Sequence, residues 1–431
     1  MQIFDKAKNI MTSSSAIVVA AVAPLAVFAY ALTRLGVFGS LIRSPWLPEI
    51  LIGVVLIVLL LIILVGLPWY RERRFVQRLA SGYGVGSGQS PQEFQAKFTA
   101  ALRRFRDLPQ HGGKGDSTYA LPWFLMIGAG ASGKTEAIKS SGIFSALTST
   151  MAEEATQNCD WWVSNSMLLL DTAGRYTIPT DPERDRGEWY RLLRLVKHYH
   201  AREPLNGMIV TAAADSLATQ TDEKLRTEAG QVRERIEEAI SELGFDFPVY
   251  ILVTKCDLLE GFVEFFGALP PRVFNQAVGW IDDPPAGIAG GPRRGGDALK
   301  RFKDGMQSTY QRLSVLGTSV LNGKVTEKQR QPLFCFPEEF RGLAGRLAIF
   351  AEVLCNEDVR YHTPLIRGVF VSSAPQPGTQ SSFLRTQVAI ASPPAPAGSP
   401  SLPSYFLREL FDTILPRDRA LARSCISKAA A

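Results

Sequence analysis

Residues 123–135 read WFLMIGAGASGKT, an apolar run from Trp123 to Ile127 that passes directly into Gly128, Ala129, Gly130, Ala131, Ser132, Gly133, Lys134 and Thr135. The second half satisfies GxxxxGK[ST] at every fixed position. Glycines in such a loop let successive backbone N–H groups turn toward a phosphate, the lysine reaches the β and γ oxygens, and the hydroxyl that follows can ligate Mg²⁺. The flanks suit that role. The apolar run predicts a buried strand, and Glu136 to Leu147 predicts a helix.

Two further runs end in residues of related chemistry. Met167 to Leu170 leads into Asp171, Thr172, Ala173 and Gly174. A carboxylate at the C-terminal end of a buried strand can hold Mg²⁺ through water, and the glycine of a DxxG turn can donate its N–H to a γ-phosphate. Asp171 follows Thr135 by 36 residues, room for a helix, a loop and an antiparallel strand over Trp161 to Asn165. Thr135 and Asp171 are therefore the expected Mg²⁺ ligands, a helix-capping aspartate being the plainer alternative. Pro248 to Val253 leads into Thr254, Lys255, Cys256 and Asp257, a variant of [NT]KxD. An aspartate there can accept two hydrogen bonds from guanine while the lysine stem lies across the ring. Gly368 to Val371 is followed by Ser372, Ser373 and Ala374, a loose match to the SA turn that borders a base.

Motifs in this order, each at a strand end, predict an α/β body like a P-loop GTPase, with a mostly parallel sheet covered by helices on both faces. GTP or ATP with Mg²⁺ is the expected cofactor, GTP being preferred through Asp257. The catalytic candidates are Thr156, placed by position where a switch threonine would ligate Mg²⁺ and contested by Thr148 and Thr150, and Arg175. Arg175 stands where many small GTPases carry a water-orienting glutamine, so it is read as a stabiliser of transition-state charge or a contact to another chain. No base is identified. Nucleotide hydrolysis is therefore an open possibility beside a structural role.

The chain has 431 residues, 46% of them hydrophobic and 20% charged, which excludes a wholly disordered or collagen-like protein. Ile50 to Leu67 is apolar throughout, and its 18 residues give about 27 Å of helix, close to the hydrocarbon thickness of a bilayer. With an earlier run it predicts a transmembrane hairpin, spans at about 16–33 and 50–67. Lys6, Lys8, Arg71, Arg73, Arg74 and Arg78 put both ends of the hairpin in the cytoplasm; a cleaved signal peptide is the competing assignment. Beyond the hairpin (1–78) the expected division is a linker and amphipathic helix (79–118), an NTPase-like core (119–257), a helical subdomain (258–364), a last core strand (365–375), and a Pro/Ser-rich segment with a short final helix (376–431). Within the subdomain, helices are expected over about Ala298–Leu321 and Glu338–Cys355. Five scattered cysteines without a CxxC pair argue against a disulfide framework or zinc ribbon. His198 and His200 read as surface residues. The net charge of +6 is carried largely by membrane-proximal arginines, and no aromatic-basic groove suggests nucleic acid.

Beyond these motifs, the stretch Asn158, Cys159, Asp160, Trp161, Trp162, then LLLDTAGRY to Tyr176, then PVYILVTKCDLLEGF over Pro248–Phe262 with Glu264, Phe265 and Phe266, resembles the IcmF/TssM family, an inner-membrane component of type VI secretion systems. The resemblance spans nearly the whole chain. It implies a multi-pass protein of the bacterial inner membrane with its soluble domain in the cytoplasm, oligomeric, anchoring the contractile apparatus and switching or energising it. The partners implied are a TssL-like inner-membrane protein and baseplate components. A TssJ-like lipoprotein is the partner least expected, because the family meets it through a third span and periplasmic region that this sequence, ending at Ala431, does not include. A membrane-anchored GTPase for protein targeting or another transport process is the alternative.

Overall fold

Five apolar strands that the chain threads side by side, each ending at the same edge, organise the structure. The computed structural model describes residues 91–107, 117–147, 158–282, 298–323, 326–356, 363–374, 380–387 and 403–425, all within the unit Leu79–Ala431. Both expected membrane spans and Thr156 lie outside the described residues. No helix among the described residues is long and apolar enough to cross a membrane.

The order of elements is α1 (Pro91–Arg106), β1 (Trp123–Gly128), α2 (Lys134–Ser140), β2 (Ser145–Ala146), β3 (Cys159–Val163), β4 (Leu168–Thr172), α3 (Pro182–Tyr199), β5 (Gly207–Ala213), α4 (Ala214–Thr219), α5 (Asp222–Leu243), β6 (Phe245–Asp246), β7 (Pro248–Thr254), α6 (Phe262–Gly267), β8 (Val278–Ile281), α7 (Ala298–Leu321), α8 (Glu327–Cys355) and β9 (Leu365–Val371). Among the described residues the main sheet runs β2-β3-β4-β1-β5-β7-β9-β8. From β4 to β9 all neighbours are parallel, whereas β2, β3 and β8 pair antiparallel at the two edges. Strands β1, β4, β5, β7 and β9 are buried along their whole length, the near-continuous apolar signature of a sheet covered on both faces.

Alternation along β1 divides the core. Phe124 and Met126 join Ala137 and Ile138 of α2 and, from the far end of the chain, Leu407, Leu410, Phe411 and Leu415. Trp123 faces the other way and meets Phe105 of α1 edge-on at 6.2 Å and His200 in a 4.3 Å stack. The expected periodicity of α1 holds, with Phe94, Phe98, Leu102 and Phe105 buried. His200 does not: it is fully buried between Tyr119 and Trp123, not on the surface. It lies at the C-terminal cap of α3, where the chain turns back toward the sheet.

Helix ends follow local chemistry. Asp181 caps α3 and accepts from Arg184 N, with Pro182 in the first turn; Thr221 caps α5, and left-handed Gly244 closes it. The helix expected over Glu136–Leu147 is only α2, because the Ser141 hydroxyl turns back onto Ile138 O and Gly142 adopts φ 69°, after which Ser145–Ala146 joins the sheet. In the other direction, α8 begins at Glu327, not at Glu338, and runs through Pro332 and Pro337. Gln329 Oε1 accepts from Thr326 N and Oγ1 at its start, and tertiary packing against α7 and α5 outweighs the two prolines. The region expected to be a helical subdomain also contributes β8, which pairs with β9 at the sheet edge.

The final segment is built into the body. Tyr405 exchanges backbone hydrogen bonds with Ser373, a π-helical turn spans Leu410–Ile414, and Asp418 accepts from Arg367 and from Tyr250 Oη at 2.7 Å.

Candidate nucleotide site

Parallel register brings the three motifs to one edge. Met126 lies opposite Asp171, so the residue that opens DTAG sits beside the end of β1, where the glycine-rich loop begins. The Thr135 hydroxyl donates to Asp171 Oδ2 at 2.6 Å, and Asp171 is fully buried. The two expected metal ligands are thus in contact. Lys134 folds back on the loop, its Nζ donating to Gly128 O at 2.9 Å and Ala129 O at 2.8 Å. Burial pulls the Lys134 ammonium below the ordinary lysine range, with Asp171 opposing that shift.

The loop is held from several sides. Thr177 Oγ1 accepts from Gly128 N at 2.9 Å, the Ser132 and Thr211 hydroxyls meet at 2.8 Å, and Thr254 Oγ1 donates to Ser132 O at 2.6 Å. Ala131 takes φ 56°, a left-handed conformation that side chains resist. Gly174 approaches so closely that a Cβ there would collide with the Gly130 backbone and lie 2.8 Å from the Ala129 carbonyl carbon. Only a glycine lets the DTAG turn close on the loop.

At the far side of β5, Ser373 Oγ donates to Asp257 Oδ1 at 2.7 Å, and both are buried. Ala374, beside them, is buried too. The SA-like turn is therefore joined to the aspartate of the TKCD segment. Lys255 has φ 57° and its Nζ lies 3.2 Å from Asp215 Oδ2. A cleft of about 410 Å³ is lined by Ala129 to Ser132 of the loop and by Asp215, Ser216 and Lys255. Asp215, with no motif around it, was not foreseen; its position just past a strand end was the one available signal.

Arg175 stands apart from this group. Its guanidinium pairs with Asp185 at 2.9 Å and Glu188 at 2.7 Å on α3, and also contacts Asn158. That arrangement anchors the turn after DTAG to α3.

The donor set fits a Mg²⁺-nucleoside triphosphate: a hydroxyl and a carboxylate in contact for the cation, an ammonium and loop N–H groups for phosphate, and a buried carboxylate for a base edge. Among the described residues no cluster of histidine, cysteine and carboxylate ligands could hold a metal ion by itself.

An α/β body with a glycine-rich loop at one sheet edge defines a broad class of domain. Residues 182–430 match the family model of the IcmF-related N-terminal domain. The chain belongs to the IcmF/TssM family. It is 30% identical over 305 residues, 68% of its length, to the type VI secretion system component TssM1 of Pseudomonas aeruginosa, and spans 27% of that relative. The glycine-rich loop precedes the residues matched by the family model. Among solved structures, the signal recognition particle receptor SRb-GTP/SRX complex from Chaetomium thermophilum is similar over 32% of this chain and 71% of that one, at 19% identity and a TM-score of 0.23, too low to bear on fold or function.

Proposed function

We propose that this protein is an inner-membrane component of a type VI secretion complex whose cytoplasmic domain binds Mg²⁺-GTP at the loop 128–135. Family membership supports the first half. The second rests on one observation, the 2.6 Å contact between Thr135 Oγ1 and Asp171 Oδ2 at the mouth of the loop. A hydroxyl and a carboxylate in that relation are the paired oxygen donors that a phosphate-bound Mg²⁺ requires. Thr135 and Asp171 would hold the cation, which would supply neutralisation of phosphate charge.

In this reading Lys134 would turn from the loop carbonyls to phosphate, Gly174 would offer its N–H to the γ-phosphate, and Asp257 would take the base edge. Arg175, held by Asp185 and Glu188, serves to brace the DTAG turn and not to reach the phosphates. The domain is a P-loop GTPase-like body that orders or switches the cytoplasmic face of the complex. TssL-like and baseplate proteins are its proposed neighbours.

Titration of the full chain in detergent with fluorescent GTP and Mg²⁺ tests this. Binding should be weakened by about 100-fold or more in Lys134→Ala, the loss of a buried charge-assisted contact. Wild-type protein that binds no nucleotide in the presence of Mg²⁺ would remove the site from consideration. Phosphate release measured in parallel separates a hydrolysing switch from a nucleotide-ordered anchor.

A further inference from the structure

Sheet order sets the path of a nucleotide across the domain. The phosphate loop leaves β1, Asp257 follows β7, and β5 lies between those two strands. A ligand with its phosphates at 128–135 and its base at Asp257 must cross the C-terminal end of β5. That end is Ala213, and α4 begins at the next residue with Asp215 in its first turn.

Asp215 is set up on both oxygens. Its Oδ1 accepts from Ser216 N at 2.8 Å, which fixes the carboxylate against the backbone. Its Oδ2 accepts from Lys255 Nζ at 3.2 Å. Both side chains line the same cleft as Ala129 to Ser132, and that cleft, about 410 Å³, falls in the size range of small-molecule sites. Lys255 is 15% exposed and Asp215 33%, so this pair is partly withdrawn from solvent, unlike a freely solvated surface ion pair.

We infer that Asp215 is a positioning residue of the nucleotide site, pinning Lys255 so that the lysine stem forms a wall for a purine ring and its charge is withheld from phosphate. This rests on the nucleotide reading above. The physical grounds are twofold. A lysine stem has many rotamers, and freezing it before the ligand arrives removes an entropic cost from binding. An unpaired ammonium at the base end would also be a second attractor for a triphosphate; neutralised by Asp215, it leaves Lys134 and the loop N–H groups to set the register.

The experiment uses the whole 431-residue chain in detergent, with Mg²⁺-GTP and with tripolyphosphate as a probe lacking base and ribose. Asp215→Ala should weaken GTP about tenfold while leaving tripolyphosphate unchanged or tighter, the size expected for loss of a coupled charged partner. Lys255→Ala should weaken GTP similarly, and the double variant should be no weaker than the weaker single one. Asp215→Asn, isosteric and still able to accept from Lys255, should fall between wild type and alanine and serves if the alanine variant is unstable. GTP affinity equal to wild type in Asp215→Ala or Asp215→Asn, or effects that multiply in the double variant, would overturn the assignment. Wild-type protein that binds neither probe would overturn the nucleotide site itself and this role with it, an outcome read before any variant is compared.

Discussion

Thr254 Oγ1 donates to the carbonyl oxygen of Ser132 at 2.6 Å, joining the end of β7 to the glycine-rich loop across the intervening strand. Because Ser132 also meets Thr211 of β5 through its hydroxyl, the loop is tied to both strands that follow it in the sheet. In sequence, Thr254 looks like the first letter of a base-reading motif. In the structure it is also a strut for the glycine-rich loop.

Thr254→Val keeps the shape and β-branching of the side chain but removes the donor, leaving a buried carbonyl unsatisfied. A loss of about 1–2 kcal/mol is expected in denaturant unfolding of the full chain, with Thr254→Ser near wild type. Equal midpoints for valine and wild type would mean that the strut carries no load.

Gly174→Ala puts a methyl group into the Gly130 backbone. The DTAG turn must then withdraw, at a cost of about 1–3 kcal/mol, and Mg²⁺-GTP affinity should fall at least about tenfold. A nucleotide titration beside a thermal melt checks both, and unchanged affinity would contradict the proposed approach of this turn to the γ-phosphate.

His200 supplies a pH dependence. Burial pushes its pKa down to about 4 from an ordinary 6.5, outweighing the Pro204 and Glu203 backbone, which pull the other way. The unfolded chain therefore takes up this proton first as the medium becomes acid, and stability contributed by the neutral ring is lost as pH falls from about 6.5 toward 4. The full difference is about 3 kcal/mol. His200→Phe, which can keep the stack with Tyr119 and Trp123, should flatten the slope of unfolding free energy against pH over this interval; an identical slope would refute the assignment.

Arg367 and Asp418 form a buried pair at 2.7 Å, with side chains 5% and 6% exposed. Asp418→Ala takes the carboxylate from a buried guanidinium that keeps its contact with the Asp282 carbonyl and should cost about 3–5 kcal/mol, whereas Tyr250→Phe, which removes one hydrogen bond to the same carboxylate, should cost about 1 kcal/mol. Unfolding curves of the two variants test the ranking, and comparable losses would show that the tyrosine, not the ion pair, secures the end of the chain.

Much of the sheet was legible because its strands are buried on both faces: WFLMI, MLLL and PVYILV stand out as unbroken apolar runs ending in polar motifs. The short edge strand β8 was not, since Val278–Ile281 has a glycine inside it and no alternation. Pro332 and Pro337 hid the first turns of α8, where packing overrules local propensity. At the candidate site, motif spacing led to Thr135 beside Asp171 and to Ser373 near Asp257. It could not lead to Asp215, whose relation to Lys255 exists only once β5 and β7 are neighbours. His200 was misplaced because a polar ring in a basic stretch gives no sign that two aromatic faces will enclose it.

The tail that returns to the sheet carries a consequence for biosynthesis. Phe124 and Met126 share a core with Phe411 and Leu415, so one face of the first strand stays uncovered until that distant segment has left the ribosome. Any recombinant piece cut after Val371 would display that greasy surface permanently, and should be sought among aggregates before it is sought in solution.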